Sequence, residues 1–311
     1  MEGHPVILKP EGALLPMIAL GGAGCIYQDS HNRDQVIKAP LKHNIQGCSQ
    51  QVIESVRDRE DFSEQCINRE KLIYQSLPKD PNILNYLAIT DRGIEFPYLR
   101  HGNVREYLQK HNNDLNGQIR DGWIKNAIEA VATIHTHGVV HSDISPRNFL
   151  VADDFSIKLC DFAGSSINGL EPLVEEESPY RILPWSPRTF QTDLFALGSF
   201  IYEVSTGVRP FADIEDEEIE RRYAVQDFPS LDGLKYHEVI SRCWKSQYPC
   251  TDMLRSDILR CTQGSGWNKA SPSVAGHGIE STLSASSFLV STLAVISIGS
   301  AALWIYRRHH T

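Results

Sequence analysis

Three polar residues that could carry metal and proton chemistry lie near the middle of the 311-residue sequence. Asp143 and Asn148 stand five positions apart in a polar loop between two apolar runs, and Asp161 follows the short run 156–160. Carboxylate and amide oxygens can hold a divalent cation, and another carboxylate can orient a hydroxyl group. Because Asp and Asn are also common turn residues, two ordinary polar turns are the alternative interpretation.

A glycine-rich turn near the start of the chain could approach phosphate groups. Gly21 and Gly24 lie between two apolar segments, and Ile26 follows them. Glycine lets backbone N–H groups come close to a phosphate, although a plain glycine hairpin is an equally simple interpretation. Lys38 lies in the next apolar run, residues 35–40, where the alternative is a solvated strand lysine.

The spacing of apolar residues predicts the elements that must position these side chains. Apolar residues at helical spacing predict a helix from Glu60 to Leu77, which Pro78 ends, after an irregular polar stretch at 41–59. A helix at 192–204 is apolar nearly all round and must therefore be buried. The other predicted elements are strands at 83–90 and 93–98 and an amphipathic helix at 123–137.

Composition and charge narrow the range of functions. With 41% apolar and 22% charged residues the chain is of the globular type, and its net charge of −9 argues against nucleic acid as the main partner. The seven cysteines are scattered without a CxxC pair, and the first residues lack the pattern of a signal peptide. These features favour a reducing, cytosolic location for the globular part.

The end of the sequence has a different composition. Residues 263–286 are rich in Gly, Ser, Ala and Pro and are predicted to be a flexible linker. Phe288–Tyr306 carries no charge and as a helix would be roughly 28 Å long, close to the thickness of a bilayer core. We therefore predict a transmembrane helix at 287–306 and a short basic tail at 307–311. A helix packed on the globular part is the alternative.

The position of this span predicts an orientation. Because five residues follow it, we expect a single-pass C-terminal membrane anchor, with the globular domain facing the cytosol. Arg307 and Arg308 oppose this orientation slightly, since basic residues tend to stay on the cytosolic side.

Together these motifs resemble the eukaryotic protein kinase domain. Residues 141–148 resemble the catalytic loop H-R-D-x-x-x-x-N, and Asp161-Phe162 resembles the start of D-F-G. Val36-Ile37-Lys38 resembles V-A-I-K, and the turn at 19–26 resembles the glycine-rich loop. The motifs follow the family's order from residue 13 to about residue 261, and they are most similar to divergent single-domain kinases of filamentous fungi.

This resemblance implies an α+β, bilobal protein-kinase-like fold. A lead-in (1–12) would precede a kinase-like domain (13–262), with a small β-rich N-lobe containing one helix (13–99) and a larger helical C-lobe (100–262). It also implies ATP and Mg²⁺ as cofactors and transfer of the γ-phosphoryl group to a hydroxyl of a protein substrate that the sequence does not identify.

The resemblance also implies roles for residues around the nucleotide. Gly21, Gly24, Ile26 and Lys38 would cradle ATP. Glu60, Glu64 and Glu70 could each pair with Lys38, and we choose Glu70 because the sequence after it resembles the run that follows the family's helix glutamate. Phe96 would be the gatekeeper, and the backbone of Pro97 and Leu99 would face adenine.

Roles on the catalytic side follow in the same way. Asp143 would orient the incoming hydroxyl and accept its proton, while Asn148 and Asp161 hold Mg²⁺. Asp193, which leads the buried helix, would brace the catalytic loop. Residues 162–185 correspond to the activation segment.

Four departures from the family pattern leave the function open. Ser142 replaces the arginine before the catalytic Asp, so a phosphate on the activation segment would lack its usual partner. Ser145 replaces a lysine, although Arg147 could reach the γ-phosphate as tyrosine-kinase arginines do. Gly164 comes one residue late after Asp-Phe, and 183–185 read Leu-Pro-Trp instead of Ala-Pro-Glu, which removes an ion pair.

Two main hypotheses follow. The chain is an active protein kinase, for Ser/Thr or Tyr, or a pseudokinase that acts as a membrane-tethered nucleotide-binding or scaffold module. A phosphotransferase for small molecules fits less well, because the activation segment and C-lobe have protein-kinase features.

Overall fold

A five-stranded antiparallel sheet and one long helix build the N-lobe in the computed structural model, which describes residues 3–183 and 186–262. The elements are β1 (Val6–Ile7), β2 (Ala19–Gly21), β3 (Gly24–Gln28), β4 (Gln35–Ala39), β5 (His43–Asn44), α1 (Gln50–Ser76), β6 (Ala88–Thr90) and β7 (Gly93–Pro97). The strand order in the sheet is β2-β3-β4-β7-β6, and β1 pairs with β5 in a separate two-stranded sheet.

Strands β4 and β7 approach each other closely at one glycine. At Gly93, where φ is +142°, a Cβ atom would lie 2.0 Å from the carbonyl oxygen of Lys38, so a residue without a side chain is required. This contact brings β7 against β4, with Lys38 opposite Ile94 on one side and Ile26 on the other. The sheet thereby fixes the strand that carries Lys38.

The N-lobe differs from the sequence prediction at three places. Helix α1 begins at Gln50, not at Glu60 as predicted. Its first turns are mostly solvated and bury only Val56, so the sequence there has no apolar period from which a helix could be predicted. Within the predicted lead-in, Val6–Ile7 forms a strand. The predicted strand at 83–90 is reduced to Ala88–Thr90.

The C-lobe is helical, with short strands around the catalytic loop. Its elements are α2 (Val104–His111), α3 (Gly117–Thr136), β8 (Val139–Val140), β9 (Phe149–Val151), β10 (Ile157–Leu159), β11 (Ser166–Ile167), α4 (Phe190–Thr206), α5 (Asp216–Ala224), α6 (His237–Trp244) and α7 (Thr251–Thr262). Strand β9 pairs with β10 and β8 with β11, both antiparallel.

Helix α4 lies at the centre of this lobe, as its apolar sequence predicted. Leu194, Phe195, Leu197 and Phe200 are almost completely buried. At Gly198 a Cβ atom would lie 2.6 Å from the Cβ of Cys243, so the glycine allows α6 to pack closely. The bilobal α+β fold with a β-sheet N-lobe and a helical C-lobe is confirmed.

The predicted linker (263–286), transmembrane helix (287–306) and basic tail (307–311) lie outside the described residues. Within the parts of the chain that the structure describes, no helix is both long enough and apolar enough to cross a membrane.

Candidate active site

Lys38 on β4 lies between two carboxylates. Its Nζ is 2.6 Å from Oε2 of Glu70 on α1 and 2.8 Å from Oδ1 of Asp161. Burial by itself lowers the pKa of Lys38, but the charges of Asp161 and Glu70 outweigh it and raise the pKa above its ordinary value. Lys38 is therefore a fixed positive charge. The choice of Glu70 over Glu60 and Glu64 agrees with this geometry.

Phe162 connects the same pair to the C-lobe. Its backbone N–H donates to Oε1 of Glu70 at 3.2 Å. Its ring, which is fully buried, lies 5.0 Å from the Tyr74 ring and 5.3 Å from the His141 ring. Tyr74 continues this stack toward Phe96, with 5.2 Å between centroids. The stack joins α1, the residue after Asp161 and the catalytic loop in one packed column.

Helix α4 holds the catalytic loop, residues 141–148, in place through the side chain of Asp193. The fully buried Asp193 accepts hydrogen bonds from the backbone N–H of His141 at 2.8 Å and of Ser142 at 3.0 Å, and it contacts His135 Nε2 at 2.9 Å. Ser142 has φ +64°, an uncommon conformation for a non-glycine residue. Asp193 therefore braces the loop as predicted, while the Ser142 side chain is buried and directed away from solvent.

Asp143 and Asn148 converge at the end of this loop. Asn148 Nδ2 donates to the backbone oxygen of Asp143 at 2.7 Å and to its Oδ2 at 2.9 Å. Oδ1 of Asp143 is buried without a partner. Burial raises the pKa of Asp143 to about 7; Arg147 and Asn148 oppose the shift, and the charges of Asp161 and Glu177 add to it. A carboxylate with this pKa suits proton transfer near neutral pH.

The oxygen atoms present fit a magnesium ion. Because Nδ2 of Asn148 is engaged by Asp143, its Oδ1 is left to act as a ligand. The Asp161 side chain is 41% exposed, and although burial alone would raise its pKa, Lys38 lowers it, so it is a carboxylate. No three His, Cys, Asp or Glu side chains form a metal cluster within residues 3–183 and 186–262. Proteins usually bind Mg²⁺ through one or two side chains together with substrate phosphates, which matches the contribution that Asn148 and Asp161 could make.

The predicted nucleotide-contact residues lie around Lys38. Gly21 ends β2 and is open, since a Cβ there would meet nothing within 4 Å. Gly24 opens β3 with φ +154°, and a Cβ would lie 2.5 Å from the oxygen of Ala39. Ile26 pairs with Lys38 across the two strands. On the neighbouring strand β7, Phe96 is buried and pairs with Val36 of β4, and Leu99 lies two residues beyond the end of β7.

Two important residues, Arg105 and Glu177, were missed by sequence reasoning. Arg105 NH1 lies 2.9 Å from both carboxylate oxygens of Glu177, and Arg147 Nε also contacts that carboxylate. The acidic run 175–177 was visible in the sequence, but Arg105 is 72 positions away and nothing in its local pattern indicates a partner. Arg147 NH2 also lies 3.9 Å from Oδ2 of Asp143.

The remaining departures have structural counterparts. A Cβ at Gly164 would overlap the side chain of Val174, so this glycine permits the turn that follows Phe162. Of the stretch 183–185, Pro184 and Trp185 lie outside the described residues. On either side of it, Glu176 Oε2 and Arg188 Nε lie 2.7 Å apart, with the Glu176 side chain 1% exposed. Burial raises the pKa of Glu176 to about 8, against the opposing charge of Arg188. A buried acid–arginine contact is thus present next to the position where the Ala-Pro-Glu pair is missing.

A β-sheet lobe joined to a helical lobe, with a buried lysine–glutamate pair and with Asn148 and Asp161 at the same end of the paired strands β9 and β10, defines the protein-kinase class of fold. The family description "Protein kinase domain" matches residues 32–260. The chain belongs to the protein kinase domain family.

Several relatives are similar over much of this domain. Dual specificity protein kinase TTK of Mus musculus is 25% identical over 261 residues, 74% of this chain and 29% of the relative. Serine/threonine-protein kinase KIC1 of Saccharomyces cerevisiae is 26% identical over 218 residues, 62% of this chain and 20% of the relative. The 3-phosphoinositide-dependent protein kinase 1 of Arabidopsis thaliana is 32% identical over 139 residues, 39% of this chain and 28% of the relative. The chain spans less than a third of the length of these relatives.

Proposed function

We propose that the chain is an active protein kinase that transfers the γ-phosphoryl group of Mg·ATP to a protein hydroxyl. The observation that carries the proposal is the contact of Lys38 with both Glu70 and Asp161, at 2.6 and 2.8 Å. Phosphoryl transfer in this family needs the lysine–glutamate pair and the metal-binding Asp in place together. In this chain the stack of Tyr74, Phe162 and His141 supports that arrangement.

The residues divide the work as follows. Lys38, held by Glu70, neutralises phosphate charge, and the open backbone at Gly21 lies where phosphates approach the sheet. Asn148 and Asp161 would hold Mg²⁺, which when bound supplies positive charge to the phosphate oxygens. Asp143, with a pKa of about 7, orients the acceptor hydroxyl and takes its proton.

The test measures phosphate transfer by the purified full chain from radiolabelled Mg·ATP to itself and to a panel of Ser, Thr and Tyr peptides. The panel covers both acceptor types, because the relatives are named dual-specificity or serine/threonine kinases whereas Arg147 resembles the tyrosine-kinase arginine. Asp161→Asn, which removes charge with little change in volume, is the matched inactive variant. We expect transfer by the natural chain only.

A pseudokinase would give a different result. In that case Mg·ATP raises the melting temperature of the natural chain, but no labelled product accumulates above the Asp161→Asn background. Equal turnover by the natural chain and Asp161→Asn would show that the metal assignment is wrong.

We further propose that residues 287–306 anchor the kinase to a membrane, with its catalytic domain on the cytosolic side. Support comes from the uncharged run Phe288–Tyr306 and from seven cysteines that are all free thiols, which suits a reducing compartment. Carbonate extraction of the full chain beside a 1–282 truncation tests the anchor, and protease protection of a tag at the N-terminus tests the orientation. Release of the full chain by carbonate would contradict the anchor. The grouping with kinases of filamentous fungi stays a prediction from the motifs.

A further inference from the structure

Glu177 in the activation segment accepts two guanidinium groups. Arg105 NH1 lies 2.9 Å from both of its oxygens, and Arg147 Nε contacts Oε1. The Glu177 side chain is 21% exposed and that of Arg105 is 14% exposed, so water screens this cluster only partly. The carboxylate therefore sits where two positive charges from different parts of the C-lobe meet.

Arg105 connects this point to the centre of the lobe. Its Nε donates to Oε1 of Glu203 on α4 at 3.0 Å, and its NH2 donates to the Tyr180 hydroxyl at 2.9 Å. The Glu203 side chain is 3% exposed, and Tyr180 is fully buried. A rigid, planar guanidinium with partners on three sides fixes the segment against α2 and α4.

Arg147 connects the same carboxylate to the catalytic loop. It lies one position before Asn148 and 3.9 Å from Asp143. In the family an arginine normally precedes the catalytic Asp, but here that position is Ser142, whose side chain is buried. The contact from loop to segment is therefore made by Arg147.

The hydroxyl groups of the segment are poorly placed to receive phosphate. Between residues 162 and 183 they belong to Ser165, Ser166, Ser178 and Tyr180, of which all but the half-buried Ser166 are buried. Ser165 donates to the oxygen of His141 at 2.9 Å. The first part of the segment is also held on α1, because Arg69 donates to the backbone oxygens of Ser165 and Glu171 at 2.6 and 2.9 Å.

We propose that Glu177 is a positioning residue that takes the place of an activating phosphate, fixing the segment on the catalytic loop through Arg105 and Arg147. The kinase would then be competent as synthesised, and its control would lie outside this segment. This inference rests on the proposed kinase function. Glu177 touches no reacting atom, so it acts by positioning Arg147 beside Asp143, in addition to its charge, which helps to raise the pKa of Asp143.

The test uses the full chain after phosphatase treatment, checked by mass spectrometry to carry no phosphate. We expect the natural chain to keep its rate within about twofold. Glu177→Gln should lower kcat tenfold to a hundredfold, as misplacement of catalytic groups by about 1 Å does, while the KM for ATP stays within about threefold. Glu177→Asp, which keeps the charge, should retain part of the rate.

A second readout does not depend on catalysis. The backbone N–H of Tyr180 donates to the backbone carbonyl oxygen of Glu177 at 2.8 Å, so hydrogen exchange of the Tyr180 amide reports on order in the segment. We expect exchange about tenfold faster in Glu177→Gln and unchanged in β9 and β10. Glu171→Gln is the matched control, because it removes the same charge from an exposed side chain of the same segment and leaves its backbone bond to Arg69 intact.

Several results would overturn the inference. The first is a more than tenfold loss of the rate of phosphate transfer by the natural chain after phosphatase treatment. The second is a rate and a hydrogen exchange in Glu177→Gln equal to those of the natural chain. The third is a faster rate in that variant, which would make Glu177 inhibitory. If no form transfers phosphate, the kinase proposal fails, and the exchange measurement still decides the role of Glu177. If Glu177→Gln does not fold, Arg147→Gln keeps the buried Arg105–Glu203 pair, and unchanged exchange at Tyr180 in that variant would refute the inference.

Discussion

Replacing Asp193 by alanine should destabilise the kinase domain and disorder the catalytic loop. The change removes a buried carboxylate that accepts from the N–H groups of His141 and Ser142 at 2.8 and 3.0 Å and contacts His135 at 2.9 Å. Hydrogen bonds to charged groups contribute about 1.5–3 kcal/mol each, and here two buried N–H groups would be left without a partner. Removing the carboxylate also relieves its own desolvation, so we expect a net loss of about 3 kcal/mol.

Thermal unfolding measures this loss directly. For a domain of this size 1 kcal/mol corresponds to about 2–4 °C, so the melting temperature should fall by about 6–12 °C. Asp154→Ala is the matched control: Asp154 also accepts two hydrogen bonds, from the N–H and hydroxyl of Ser156, but it is exposed. It should change the stability by no more than about 1 kcal/mol. Equal melting temperatures for the two variants would refute the argument that Asp193 braces the loop.

Three further predictions concern Asp143, the glycine-rich turn and Lys38. The kcat/KM of the free enzyme should rise with pH through about 7, because Asp143 accepts a proton only as a carboxylate and burial raises its pKa to that value; a flat profile from pH 6 to 8 would contradict this. Gly24→Ala should lower the free energy of unfolding in urea by about 1–3 kcal/mol, since its Cβ would lie 2.5 Å from the oxygen of Ala39, whereas Gly21→Ala should not. Lys38→Met should abolish the rise in melting temperature on adding Mg·ATP, and an unchanged rise would exclude Lys38 from the phosphate site.

The sequence predicted the parts of the site that lie in short motifs. Asp143 and Asn148 are in one loop, and Lys38 lies within a strand, β4, whose apolar residues are visible in the sequence. Glu70 could be chosen among three acids only through the run after it. These positions were accessible because local pattern and local structure coincide there.

The parts that were missed depend on distant or solvated partners. The first turns of α1, from Gln50, were predicted as irregular because a helix that faces mainly solvent has no apolar period. The Arg105–Glu177 contact joins α2 to the activation segment across 72 positions, and an ion pair leaves no trace in local spacing. The Glu176–Arg188 pair was missed for the same reason.

The packed column of Tyr74, Phe162 and His141 has a consequence for inhibitor design. A compound that needs Phe162 to leave its site must expose a fully buried ring and break two aromatic contacts, at 5.0 and 5.3 Å. Burial of such a ring contributes about 1.5–3 kcal/mol and each aromatic pair about 0.5–1.5 kcal/mol more. Such a compound would lose about two to four orders of magnitude in affinity relative to its intrinsic binding, because it selects a rare conformation. Compounds that bind beside Lys38 and Phe96 without moving Phe162 avoid this loss, so high affinity for this kinase is better sought among them.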